Sequence, residues 1–89
     1  MRVTVLYFGI VRERFARDEE AYELAPGSNV RDLIKSIEAR HGDPAQGVAR
    51  VRFAVNNEYV DTDRELFEDD EVAVIPPVSG GIHVSYRRA

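Results

Sequence analysis

The 89-residue chain has no cysteine. That excludes a disulfide framework, a zinc–cysteine site and a thiol nucleophile. Histidine is nearly as scarce: His41 and His83 lie far apart and offer no metal-ligand spacing. Lysine occurs once, at Lys35, whereas eleven of the twelve basic residues are arginine, so few amines are available for self-conjugation. No apolar run approaches the ~20 residues of a membrane span. The opening MRVTVLYFG alternates residue by residue and lacks a small-residue cleavage site, which excludes a signal peptide. These absences predict a soluble, cytoplasmic chain with no membrane partner. Positive charge is also in the minority, and a net charge of −4 argues against non-specific nucleic-acid binding.

What remains is enough for one domain with a modest core, since a chain of this length buries only roughly 60–65% of the surface it exposes unfolded. In residues 2–9, Val3, Val5 and Tyr7 alternate with Thr4, Leu6 and Phe8, the pattern of a strand with one face buried. A short helical turn and a charged loop follow, then a second strand at 21–24. APGS at 25–28 marks a turn. The next segment has the clearest ends in the chain. Asn29 with Asp32 three residues later forms a shortened capping box, and Val30, Leu33, Ile34 and Ile37 trace one buried helical stripe. Gly42 suits the residue just past a helix end, Pro44 bars re-entry, and His41 sits in the last turn as a helix-end cation. Strands are expected at 51–56, 59–60 and 71–75, the last stopped by Pro76-Pro77, and Leu66 and Phe67 are expected in the core. The result is an α+β domain: a mixed sheet of about four to five strands with one main helix on one face, the first and last long strands pairing centrally.

The ending EDDEVAVIPPVSGG resembles that of the small ubiquitin-like sulfur carriers, above all the molybdopterin synthase small subunits. VLYFGIVRE, VRDLIKSIEARHG and FAVNNEYV fit the same family, so the resemblance covers residues 1–81. It implies a β-grasp fold, with 1–81 as the sulfur-carrier domain and 82–89 as a C-terminal extension. Three departures stand out. Asp69 replaces the glycine of the family's acidic turn, a position where aspartate tolerates a left-handed backbone. Ile75 stands where phenylalanine is usual, and the chain runs on past the diglycine.

The resemblance implies a sulfur carrier in molybdenum cofactor (molybdopterin) biosynthesis that is not a catalyst on its own. The carboxylate of Gly81 would be adenylated by an E1-like adenylyltransferase that uses ATP, then converted to a thiocarboxylate. The large subunit of molybdopterin synthase would accept the tail. No bound cofactor or metal is implied. Gly80 and Gly81 lack a Cβ and suit a narrow channel, while Pro76 and Pro77 stiffen the exit from the sheet. Gly81, however, is bonded to Ile82 and has no free carboxylate. Either a processing protease removes IHVSYRRA, or that segment, whose Ile82, Val84 and Tyr86 alternate as in a strand, is a permanent edge strand. Carriers for thiamine, cysteine or tungsten-cofactor synthesis, a protein modifier and a non-carrier binding module remain alternatives.

Partner docking in the family implies an apolar patch at Phe8, Tyr59 and Ile75, continued by Pro76, Pro77, Val78 and Ser79. Ordinary packing on the second face of the sheet is the competing reading. The acidic run Asp61, Asp63, Glu65, Glu68, Asp69, Asp70 and Glu71 reads as a solvated face, with steering toward a basic partner as the functional alternative, and it lacks the spacing of a calcium loop.

Overall fold

The computed structural model describes residues 1–48 and 50–77. Its elements are β1 (Arg2–Tyr7), α1 (Gly9–Phe15), β2 (Glu19–Glu23), α2 (Val30–His41), β3 (Arg52–Val55), β4 (Glu58–Val60) and β5 (Glu71–Ile75). The five strands form one sheet in the order β2-β1-β5-β3-β4. This is the β-grasp arrangement. β1 and β5 lie side by side and parallel, with Val5 opposite Val72 and Tyr7 opposite Val74, while every other pairing is antiparallel. The charged segment after β1 folds further than a single turn. It forms the seven-residue α1, burying Val11 and Phe15 and ending at Ala16 in the left-handed region (φ 55°).

α2 forms where its stripe and caps place it. The Asn29 side chain accepts a hydrogen bond from the Asp32 N–H (3.0 Å), and the Asp32 carboxylate accepts one from the Asn29 N–H (2.9 Å). Val30, Leu33 and Ile37 are buried against Val3, Val5, Val55, Val72 and Val74 of the sheet, and Ile34 sits at the edge of that core. Each fully buried aliphatic side chain contributes about 1.5–3 kcal/mol, so the stripe, rather than helix propensity, holds α2 in place. Replacing Asn29 with alanine is expected to cost about 1 kcal/mol in a denaturant titration, because the N-terminal amides lose their acceptor.

Two turns aim the strands. Asn56 and Asn57 both have positive φ (50° and 74°), the requirement of a type I′ hairpin, and they join β3 to β4. Asp69 is left-handed at φ 67°, so the aspartate does occupy the glycine-like position. Two expectations need correction. Leu66 is fully buried, but Phe67 is 55% exposed and stays out of the core. Asp70 does not belong to a solvated acidic face: it is buried, and its carboxylate accepts from Asn56 Nδ2 (2.8 Å) and from the Phe67 N–H (2.8 Å). Buried carboxylates persist only with such partners, so Asp70 is a clasp between the hairpin turn and the start of β5.

Candidate functional site

Because β1 and β5 are parallel, both leave the sheet at the same end. The turn after β1 and the Pro76-Pro77 step after β5 therefore emerge side by side. Gly9 makes this possible. Its φ is +54°, and a Cβ there would meet Pro76 Cγ at 3.0 Å. Pro76 is buried against this turn and Pro77 is exposed, so the chain is held at the first proline and meets solvent at the second. Val78, Ser79, Gly80 and Gly81, together with the extension 82–89, lie outside the described residues.

The strand register also defines a face opposite α2. Alternation places Leu6, Ala73, Ala54 and Tyr59 in one row across β1, β5, β3 and β4, since Leu6 pairs with Ala73, Ala73 with Ala54 and Ala54 with Tyr59. The next row, nearer the tail exit, holds Phe8, Ile75 and Arg52, the last two directly paired. The structure thus brings Phe8, Tyr59 and Ile75 to one face, but not to equal exposure. Tyr59 is 47% exposed, Ile75 only 5%. Phe8 is half-buried and packs on a small cluster of Ala54, Ala73 and Ile75. Ile75 is therefore the floor of the patch, and Phe8 and Tyr59 are its accessible parts.

Two features of this region escape a reading of the sequence. The Arg52 guanidinium lies 3.9 Å from the Tyr59 ring centroid, within cation–π distance. It reaches diagonally across the β3–β4 pair, a contact that depends on the register of the hairpin. The second feature lies on the α2 side. Glu20 Oε1 accepts hydrogen bonds from Tyr7 (2.8 Å) and Tyr22 (2.9 Å), and His41 Nε2 lies 2.6 Å away. Burial alone would raise the Glu20 pKa, but the hydrogen bonds from Tyr7, His41 and Tyr22 outweigh it and hold the carboxyl down to about 2. Burial, first, and then the bonds to Tyr22 and Glu20 push the Tyr7 hydroxyl well above the usual phenol range. The His41 ring stacks on Phe15 at 4.7 Å between centroids, so His41 is more than the helix-end cation expected. These groups tie α2 to β2 and offer no open cleft for chemistry. Among the described residues, no three acidic or histidine side chains gather as a metal site, and no helix is long and apolar enough to cross a membrane.

The ThiS family matches residues 5–81, ending at Gly81. The chain belongs to this family. The molybdopterin synthase sulfur carrier subunit of Chlamydomonas reinhardtii is 42% identical over 83 residues, which span 91% of this chain and 100% of the relative. A molybdopterin converting factor subunit 1 structure from Pyrococcus furiosus superposes with a TM-score of 0.79 at 42% identity, covering 88% of this chain and 99% of that one. The fold also recurs in a complex of subunits 1 and 2 of the Helicobacter pylori molybdopterin-converting factor (TM-score 0.63, 20% identity, 91% of this chain and 100% of that one). The protein is a ubiquitin-like sulfur carrier of molybdenum cofactor biosynthesis, with the β-grasp fold.

Proposed function

We propose that this carrier works in the cytoplasm as the small subunit of a molybdopterin synthase, with Gly81 as its acyl terminus once residues 82–89 have been removed. The observation that carries the reading is the exit geometry. The parallel β1–β5 pair and the Gly9–Pro76 contact hold the start of the tail at one end of the sheet, beside Phe8. The family match, in turn, stops at Gly81. Hydrolysis of the Gly81–Ile82 amide yields the carboxylate that a peptide bond denies. An E1-like adenylyltransferase then joins that carboxylate to the α-phosphate of ATP with release of pyrophosphate. A sulfur donor displaces AMP and leaves a thiocarboxylate, which the large subunit accepts in its active site. The carrier contributes no acid, base or cofactor to these steps. It contributes a terminus without side chains, a rigid exit and the Phe8–Tyr59 surface on which partners seat. Gly80 and Gly81 let the tail follow backbone paths closed to other residues.

The test compares the chain ending at Gly81 with the full chain, each given to the cognate adenylyltransferase and ATP. Pyrophosphate exchange is expected with the shortened chain alone. Exchange with neither form removes the carrier mechanism, and exchange with the uncut chain removes the processing step.

A further inference from the structure

The docking face continues around the β4 edge into a cleft of about 480 Å³ whose polar lining is Arg31, Arg50, Arg52, Asp61, Thr62 and Asp63. In a chain of net charge −4, the three arginines outnumber the two aspartates of this lining, so the cleft carries a local positive excess. Arg31 donates to the Thr62 hydroxyl (3.0 Å). No ion pair joins any of the three arginines to Asp61, Asp63 or another described carboxylate, because the ion pairs of the described residues all lie elsewhere. The guanidinium forks of Arg50 and Arg52 are therefore not engaged in an ion pair among the described residues. Arg52 is the link to the patch: its guanidinium lies against the Tyr59 ring, and its strand position pairs with Ile75. A guanidinium laid on an aromatic ring loses little further freedom on binding, and its planar fork matches a carboxylate in two parallel hydrogen bonds.

We infer that this arginine-lined cleft receives an acidic segment of the large subunit, with Arg52 as the residue that binds its leading carboxylate beside the Phe8–Tyr59 patch. The inference rests on the proposed docking of the carrier on that subunit and adds the chemistry of the contact. The apolar patch supplies burial without orientation. The cleft lies off one side of that patch, on the β4 edge, so a charge bound there fixes how the sheet is rotated on its partner, and with it the direction in which the tail leaves.

The experiment titrates the carrier, in the form isolated from its own cells, against the large subunit of the same organism at two salt concentrations. Arg52→Glu is expected to weaken binding at least about 30-fold and Arg52→Gln about tenfold, with the salt dependence of the wild type reduced in both. Unchanged circular dichroism melts are expected, because the Arg52 side chain lies on the surface. Binding by Arg52→Glu within twofold of wild type overturns the inference. So does an equal loss in both variants with the salt dependence intact, which would mean that Arg52 only packs on Tyr59. A Tyr59→Ala variant separates the levels. If it weakens binding while Arg52→Glu does not, the docking face stands and the acidic partner falls. A wild-type carrier that does not bind the large subunit overturns both.

Discussion

Replacing Ile82 with proline is expected to abolish sulfur carriage in the source cell, with intact mass showing residues 82–89 still attached. The reason is the chemistry of one carbonyl. In the uncut chain the Gly81 carbonyl is an amide, whose oxygen is a poor nucleophile toward the α-phosphorus of ATP and leaves nothing to form a stable mixed anhydride. Proline after the scissile bond removes the N–H and locks the backbone there, which most protease clefts reject. The expected loss in molybdenum-enzyme activity is at least ~1,000-fold, because an uncut carrier supplies no acyl terminus to activate. A stop codon placed after Gly81 in the same gene is expected to restore activity, because it supplies the carboxylate without the protease. An uncut Ile82→Pro chain found carrying thiocarboxylate sulfur would show that the extension does not block activation. The seven elements of the described residues end by Ile75, and Ile82 lies outside the described residues.

Some of this protein is legible from its residues and some is not, and the division follows the range of the interaction. α2 can be read because its signals are local: the Asn29–Asp32 box, the Val30–Leu33–Ile37 stripe and the stop at Gly42 lie within fourteen consecutive residues. The central pairing of β1 with β5 can be read because both are dense in β-branched residues. α1 is harder, since only Val11 and Phe15 of its seven residues are buried and its first residue is a glycine in the left-handed region. Phe67 misleads because an aromatic beside a core leucine looks buried. Its neighbour Leu66 takes the inward position instead. Asp70 misleads for a related reason: one acid in a run of acids carries no local mark of its partners, which lie on Asn56 and at Phe67. The family resemblance supplies Phe8, Tyr59 and Ile75, but only the register shows that Ile75 lies beneath the other two and that Arg52 joins them. Contacts such as Glu20 with His41, 21 residues apart, exist only once the sheet and helix have docked.

That last contact carries the second large effect. Glu20→Ala is expected to destabilise the fold by about 2–4 kcal/mol, as measured by urea unfolding, because it removes the acceptor shared by two buried hydroxyls and the His41 ring. Tyr7 and Tyr22 keep the 2.8 Å bond between their own hydroxyls, which limits the loss. Arg17 and Arg40 lie 3.6 and 3.4 Å from Glu20 Oε2, but their side chains are 59% and 45% exposed, so those ion pairs add little. Glu20→Gln, which keeps an acceptor but not the charge, is expected to cost about half as much. The two effects separate with pH. The Glu20 carboxyl is held down to about 2 from an ordinary 4.5, so the folded state favours the ionised form. Its contribution is therefore complete above about pH 4.5 and is lost as pH falls through 2, worth about 2 kcal/mol after allowance for solvent screening. At the alkaline end the sign reverses. The Tyr22 hydroxyl is pushed up to about 12, chiefly by burial, so its contribution holds below pH 10 and is lost as pH rises through 12. Wild-type stability is accordingly expected to fall steeply between pH 4.5 and 2, and Glu20→Gln to lose that part of the slope while keeping the alkaline limb. An unchanged acid slope in Glu20→Gln would place the acid sensitivity elsewhere and overturn this account of Glu20.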